Sequence, residues 1–564
     1  MSLLSNVFAR CLACCVLAGC SPSENIDTKN SAEVPLTVQQ REKVDSLLAS
    51  MTVQQKVAQM IQGEIKHVSP DDLRRYGLGS VLNGGGSFPD NNKYSTLEDW
   101  VALADAYRQA SLDQSGGSAG IPVLWGTDAV HGHNNVIGAT LFPHNIGLGA
   151  ANDPELIGKI GRITSREVAA TGIDWIFAPT VAVPLDDRWG RTYEGYSDRP
   201  EIVRAYAGVI VSALQSEGLL ATAKHFFGDG GTYRGIDQGD TRGSIETLLE
   251  IHGQGYYSAL DAGVTSIMAS FNSINGSKIH GDKSILDDLL RNQLGFEGFT
   301  IGDWNGHGQV PGCTNESCAQ AIKAGMDMVM VPEDWKALLL NTVAQVESGV
   351  ISEGRIDEAV RRILTAKMKA GLFDAPMPSA KAVPLQANLG SEEHRIVARE
   401  AVRKSMVLLK NNGSVLPISG SAEVLVAGSG ANSIEMQTGG WTITWQGTGN
   451  SNETFPGATS IYAAIDQALT GMGGSATLSV DGSYTKRPDV AVVVFGETPY
   501  AEGQGDVDTL AWQQEDPRDL RLLQQLQSEG VPVVAVLLTG RPLWMNAELN
   551  ASDAFVVAWL PGSE

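Results

Sequence analysis

From about residue 39 to residue 373, short apolar runs alternate with stretches in which apolar residues recur every three to four positions. Runs of the first kind suit buried parallel strands and stretches of the second kind suit amphipathic helices, so the alternation predicts a βα repeat. The strand-like runs are 80–82, 121–126, 141–144, 175–183, 220–226, 266–271, 299–303 and 326–331, and the clearest helices are 153–170, 200–217 and 355–370. Eight parallel strands are what a closed (β/α)8 barrel needs.

Pro376, Pro378 and Pro384 mark 375–390 as a linker. Beyond it a helix over 391–410 leads to apolar runs at 423–427, 490–495, 531–538 and 555–560. Continuous Val-rich runs with helices between them imply a second parallel sheet covered on both faces. The expected organisation is a barrel domain over 39–374 and an α/β sandwich over 391–564. Because Gly562-Ser563-Glu564 follows directly on the last strand and a turn, the sandwich is expected to be incomplete.

Composition changes this picture little, but it narrows the partners. The 41 Lys+Arg against 64 Asp+Glu leave a net charge of −23, and no basic run offers phosphate contacts, which excludes nucleic acid as an expected partner. The cysteines say more. Cys11, Cys14, Cys15 and Cys20 cluster near the start, where an apolar core over 7–18 behind Arg10 has the length of a signal peptide and not of a membrane span. Leu17-Ala18-Gly19-Cys20 resembles the lipobox of bacterial lipoproteins. That implies removal of 1–19, acylation of Cys20, a polar tether over 20–38 and a place in the bacterial cell envelope, either periplasmic or at the outer membrane. In an oxidising compartment Cys313 and Cys318 are expected to close a small disulfide loop. Zinc would need two further ligands that the local sequence does not offer.

Polar residues collect where the strands of the first domain end, and in a barrel such ends converge on one face. They are Asp128 in Gly126-Thr-Asp-Ala-Val-His-Gly-His133, Arg188 and Arg191 in Arg188-Trp-Gly-Arg191, Lys224 and His225, and Asp303 before Trp304. Taken alone, Asp303 reads either as a carboxylate placed for chemistry or as the cap of a following helix. The His131-Gly-His133 spacing invites a metal reading, but neither a cysteine nor a third histidine accompanies it. Gly428-Ser-Gly430 lacks the third glycine of a dinucleotide loop. Acids, bases and indoles converging at one place suit a sugar, which presents hydroxyl rims and apolar faces.

These motifs resemble glycoside hydrolase family 3, in particular its exo-acting β-glucan glucohydrolases and β-glucosidases. The resemblance rests on Gly126-Thr-Asp-Ala-Val-His-Gly-His-Asn-Asn135, Phe142-Pro-His-Asn145, Arg188-Trp-Gly-Arg191, Lys224-His-Phe-Phe-Gly-Asp-Gly-Gly231, Gly302-Asp-Trp304, Gly439-Gly-Trp-Thr-Ile-Thr-Trp-Gln446 and Gly496-Glu-Thr-Pro-Tyr-Ala-Glu-Gly503. It implies a barrel followed by an α/β sandwich, a β-glucan or β-gluco-oligosaccharide substrate, and no cofactor or metal. It makes Asp303 the nucleophile and places the acid/base on the second domain, at Glu502 in preference to Glu497. It also implies that Asp128, Arg191, Lys224 and His225 hold the terminal sugar and that Trp304 and Trp445 clamp the next one, with Trp441 left to packing. Cations near Asp303 and a less polar cleft around Glu502 should hold the first carboxyl ionised and the second protonated.

The chain departs from plant relatives in three places. Gln238 and Gln309 stand where those carry a glutamate and an arginine, and Phe271 stands where many relatives have a tyrosine that can hydrogen-bond the nucleophile. A β-N-acetylglucosaminidase of the same family is the first rival, but the loop Gly228-Asp-Gly-Gly-Thr-Tyr-Arg-Gly235 lacks the Asp-Ser-His triplet of those enzymes. A non-catalytic sugar-binding lipoprotein is the second, and retention of both Asp303 and Glu502 argues against it.

Overall fold

The computed structural model describes residues 35–564; the expected signal peptide and Cys20 lie outside the described residues. Eight parallel strands form the first sheet, β1 (Ile61–Glu64), β2 (Ser80–Asn83), β3 (Leu124–Thr127), β4 (Trp175–Ile176), β5 (Leu220–Phe226), β6 (Ser266–Ala269), β7 (Phe299–Ile301) and β8 (Val329–Met330), each beside its neighbour in sequence. The first and last strands pair directly, Ile61 with Val329. Closure of the ring comes at β7 and β8, where the Gly302 N–H donates to Met328 O at 2.9 Å and the Met328 N–H to Thr300 O at 2.9 Å.

The helices outside the ring follow the sequence pattern. Pro154–Ala169 starts at Asp153, whose side chain accepts the Leu156 N–H, and it turns Leu156, Ile157, Ile160, Ile163 and Val168 onto the sheet. Arg162 and Arg166 on the opposite face are exposed, whereas Glu167 is buried and accepts the Thr140 N–H at 2.8 Å. An acidic start with proline in the first turn and an apolar stripe along one face are sufficient to define such a helix.

One expected strand is wrong and one real strand was missed. Residues 141–144 make only an isolated antiparallel bridge, Leu141 to Gly132. Phe142 is fully buried, and His144 precedes the helix Asn145–Ala151. This segment is instead the seam between the two domains: the His144 N–H donates to Leu560 O at 3.1 Å and the Ser563 N–H to Leu141 O at 3.0 Å. The missed strand, β1, reads Ile61-Gln-Gly-Glu64 and is buried throughout. Its polar side chains hid it, although Gln62 turns inward and donates its Nε2–H to Ser80 Oγ at 2.7 Å.

The second sheet has six strands in the order Val407–Asn411, Ala554–Trp559, Val533–Leu538, Val490–Gly496, Glu423–Ala427 and Ser475–Leu478. It is parallel except at Val407–Asn411, which runs antiparallel to Ala554–Trp559. That outer strand corrects the expected helix over 391–410, which spans Glu392–Ser405 and stops there. Both outer strands are partly exposed and lack the continuous apolar character of the inner four, so the pattern did not reveal them.

Candidate active site

The C-terminal ends of the barrel strands and one face of the second domain enclose a cavity of about 350 Å3. Asp128, Arg191, Lys224, His225, Asp303, Trp304, Trp445 and Glu502, all singled out from the sequence, line it. Arg188 turns away and pairs with Asp186, Nε to Oδ1 at 2.8 Å.

Asp303 lies two residues beyond β7, and its backbone N–H donates to His280 Nε2 at 2.9 Å. Oδ1 accepts the Trp304 N–H at 2.7 Å, while Oδ2 stands 3.6 Å from His225 Nε2. The short 3-10 turn that follows, Gly306–Gln309, begins at Asn305, so Asp303 caps no helix. Phe271 lines the cavity with its ring tilted against His280 at 5.9 Å between centroids.

His225 is held from both sides. Nδ1 contacts Asp229 Oδ2 at 2.9 Å and Nε2 contacts the Arg191 guanidinium at 3.2 Å. Since Arg191 can only donate, His225 Nε2 is the acceptor and its proton sits on Nδ1 toward Asp229. Burial, with Arg191 and Lys224 nearby, pushes its pKa well below the usual histidine value and keeps the ring neutral. Lys224 Nζ donates to Asp128 Oδ1 at 2.5 Å, which places both at the cavity floor as an ion pair.

Arg191 is the electrostatic centre. Its guanidinium grips Glu194 with two bonds of 2.8 Å, Nε to Oε1 and Nη2 to Oε2, and both side chains are buried. Nη1 lies 3.7 Å from Glu502 Oε1. Trp441, expected only to pack, donates its indole N–H to Glu194 Oε1 at 3.0 Å, lies 6.0 Å from the Arg191 guanidinium and forms part of the cavity wall.

The two carboxyls titrate apart. Burial raises the Asp303 pKa to about 6 against the lowering effect of Arg191, the Trp304 N–H and Lys224. Burial raises Glu502 further, to about 8, opposed by Arg191 and assisted by the charge on Asp303. The order is the expected one, but the cations do not depress Asp303 below its usual range because the loss of water outweighs them.

Glu497 faces elsewhere. It accepts Thr539 Oγ1 at 2.7 Å and the Gly540 N–H at 3.0 Å, and it pairs with Arg541 Nε at 3.0 Å. Arg541 in turn donates to Gly505 O at 2.6 Å and to Arg188 O at 3.1 Å. Glu497 therefore braces the loop that carries Glu502. Gln446 clasps the same loop, accepting the Ala501 N–H at 2.8 Å and donating to Ala501 O at 3.2 Å.

Several site residues escaped sequence reasoning. Glu194, Asp229 and His280 each act on a residue already suspected, and only the i+3 and i+4 spacings of Glu194 and Asp229 from Arg191 and His225 hinted at them. Gly84 and Gly85 follow β2 and lie against Trp304 and Trp445: a Cβ at Gly84 would sit 2.6 Å from the Trp304 ring, and one at Gly85 would sit 2.9 Å from Trp445 Cα. The histidines of the His131-Gly-His133 segment are already engaged, His131 with Phe142 O and Thr442 Oγ1 and His133 with Thr171 Oγ1, each at 3.0 Å. Cys313 and Cys318 form a disulfide.

A parallel barrel whose strand ends present carboxyl groups, with a further carboxyl supplied by a sheet domain closing over them and indoles at the mouth, defines the class of a glycoside hydrolase. Residues 52–366 match the glycosyl hydrolase family 3 N terminal domain, and residues 406–564 match the glycosyl hydrolase family 3 C-terminal domain. The chain belongs to glycoside hydrolase family 3. It is similar to an exo-1,3/1,4-beta-glucanase from a Pseudoalteromonas species, with 55% identity and a TM-score of 0.93 over 94% of this chain and 68% of that one. It is also similar to a lysosomal beta glucosidase of Dictyostelium discoideum, 31% identical over 92% of this chain and 69% of the relative. A periplasmic beta-glucosidase of Salmonella typhimurium is 28% identical over 94% of this chain and 72% of the relative.

Proposed function

We propose that the protein is a retaining, exo-acting β-glucosidase that releases glucose from the non-reducing ends of β-1,3- and β-1,4-linked glucans and oligosaccharides. The observation that carries this reading is the pair of carboxyl groups that line one cavity from two domains, Asp303 with a pKa of about 6 and Glu502 with a pKa of about 8. Near neutrality the first is mostly ionised and the second mostly protonated. A retaining glycosidase needs both states at once, a carboxylate to attack the anomeric carbon and an acid to protonate the leaving oxygen, with the groups about 5–5.5 Å apart. Asp303 then forms the glycosyl ester, and Glu502, now a carboxylate, takes a proton from the water that hydrolyses it.

The surrounding side chains divide the remaining tasks. Asp128, Arg191, Lys224 and His225 offer donors and acceptors to the hydroxyls of the terminal sugar, and Trp304 and Trp445 stack on the next ring. A cavity of about 350 Å3 lies at the small end of ordinary ligand sites, about 300–1,000 Å3, and suits the tip of a chain more than its interior. The names of the similar proteins, beta-glucosidases and an exo-1,3/1,4-beta-glucanase, support the substrate class.

Hydrolysis of an aryl β-glucoside and of β-1,3- and β-1,4-linked glucose disaccharides by the full chain and by Asp303→Ala tests the reading. Turnover in the wild type and its loss in the variant are expected. Turnover surviving in Asp303→Ala would remove the nucleophile assignment, and release of N-acetylglucosamine in place of glucose would replace the substrate. We further propose that the protein is exported and anchored through Cys20, in keeping with the lysosomal and periplasmic relatives. Labelled palmitate should enter the wild type and not Cys20→Ala.

A further inference from the structure

A small three-stranded sheet, Asp240–Thr241, Ser273–Ile274 and Ser277–Lys278, stands beside the cavity and carries Lys278. The Lys278 ammonium donates to Phe271 O at 2.7 Å, to Gln238 O at 3.2 Å and to Gln309 Oε1 at 3.0 Å. Those three contacts use all three of its N–H donors, and every acceptor is neutral. No carboxylate lies within ion-pair distance of it among the described residues. Gln309 donates its Nε2–H to Gln238 Oε1 at 2.8 Å. Phe271, Gln238 and Gln309 all line the cavity, on the side that also carries Trp304.

An ammonium accepts nothing, so this arrangement has a direction. Lys278 forces the Gln309 carbonyl oxygen toward itself, which turns the Gln309 amide nitrogen toward Gln238. Gln238 must then meet that donor with its own oxygen, and its NH2 group is left facing the other way. A side-chain amide at the surface ordinarily can rotate to offer either oxygen or nitrogen; here a fixed cation removes the choice at both residues. Each amide dipole also points its positive end away from Lys278, so the donors at the end of the chain are polarised in the same sense.

We propose that Lys278, Gln309 and Gln238 form a one-way hydrogen-bond relay that makes Gln238 a donor to the second sugar of the substrate and so sets the preference for the leaving group. Lys278 is a positioning residue here and Gln238 is the residue that meets the ligand. The ligand group recognised is an oxygen that only accepts, as the ring oxygen of a glucose unit in the leaving position does; a hydroxyl could donate to a rotated Gln238 oxygen equally well. A leaving group that presents only an apolar aryl ring there gains nothing from it. The inference rests on the β-glucosidase reading and adds a polarity to one wall of that site.

The test is the ratio of kcat/KM for β-1,3- and β-1,4-linked glucose disaccharides to kcat/KM for an aryl β-glucoside. Gln238→Leu removes the donor and should lower that ratio roughly fivefold to tenfold, the worth of one hydrogen bond, through a higher KM for the disaccharide. Gln309→Glu is the sharper variant, since it strengthens the contact with Lys278 while leaving residue 309 without a donor. Gln238 must then rotate its NH2 toward the new carboxylate and show its oxygen to the cavity, so the ratio should fall here as well. Lys278→Met should give the same direction. An unchanged or higher ratio in Gln309→Glu, or equal losses on both substrates in Gln238→Leu, would overturn the relay. Failure of the wild type to hydrolyse any β-glucoside would instead overturn the underlying reading, so the two failures are distinguishable.

Discussion

Asp506 accepts the backbone N–H of Gly190 at 2.8 Å, tying the loop of the second domain that carries Glu502 to the barrel loop that carries Arg191. The other oxygen of the same carboxylate accepts the Asp237 N–H at 2.8 Å. Gly190 permits this approach because a Cβ there would lie 1.9 Å from Glu502 O. Together with Arg541 and Gln446, this side chain holds Glu502 over the cavity. Asp506→Ala should lower kcat/KM about 10- to 100-fold for substrates with poor leaving groups, which depend on proton donation, and much less for dinitrophenyl β-glucoside. The slope of log kcat/KM against leaving-group pKa checks it, and a uniform loss would place Asp506 outside the positioning of the acid.

The pH profile follows from the two carboxyls. In the proposed mechanism Asp303 must be ionised to attack, so activity should fall as pH drops through about 6, and Glu502 must hold its proton, so activity should fall as pH rises through about 8. A bell with its maximum between those values is expected for kcat/KM, and its limbs belong to the coupled pair. Glu502→Gln should abolish the alkaline limb and leave the acid one. Arg191 lowers both carboxyls, so Arg191→Lys, which places a more mobile charge there, should move the acid limb to higher pH.

Glu497 and Glu502 separate cleanly by variant. Glu497 braces Arg541, which is fully buried and supports the Glu502 loop through Gly505 O. Arg541→Met strands the largely buried Glu497 carboxylate, 12% exposed, and should cost about 3–5 kcal/mol of unfolding free energy, measured by denaturant titration. Glu497→Gln should cost stability in the same sense but preserve the alkaline limb of the pH profile. Loss of that limb in Glu497→Gln would reassign the acid.

The parts of this molecule legible in its sequence are those where one residue type has one physical reading. Seven barrel strands announced themselves because their residues are apolar on both faces, and Asp303 and Lys224 stood out because charged groups at the ends of such runs need a reason. Strand β1 stayed hidden because Gln62 and Glu64 are polar residues buried inside the barrel, and 141–144 misled because burial at a domain seam looks the same in sequence as burial in a sheet. The order of the two carboxyl pKa values was legible from the need for two protonation states. The upward shift of Asp303 was not, because it depends on how much water the second domain excludes. Arg541 and Asp506 take their roles from contacts between segments far apart in the chain, which periodicity does not encode.

The glycines after β2 give a prediction of a different kind. Trp304 is 38% exposed, so its indole keeps its place at the cavity mouth by what lies against it and not by burial. Gly84 supplies one such surface, and a methyl group there would come within 2.6 Å of the Trp304 ring. In Gly84→Ala the ring can swing away because water lies on its other side. The cost should therefore appear in substrate binding more than in folding. KM for a disaccharide is expected to rise about threefold to tenfold, a loss of about 1 kcal/mol of stacking at a partly exposed indole, with kcat changed less. Thermal unfolding should move by no more than a few degrees. An unchanged KM would show that Trp304 does not hold the substrate, and a large fall in the unfolding temperature would show that the glycine serves the barrel instead of the site.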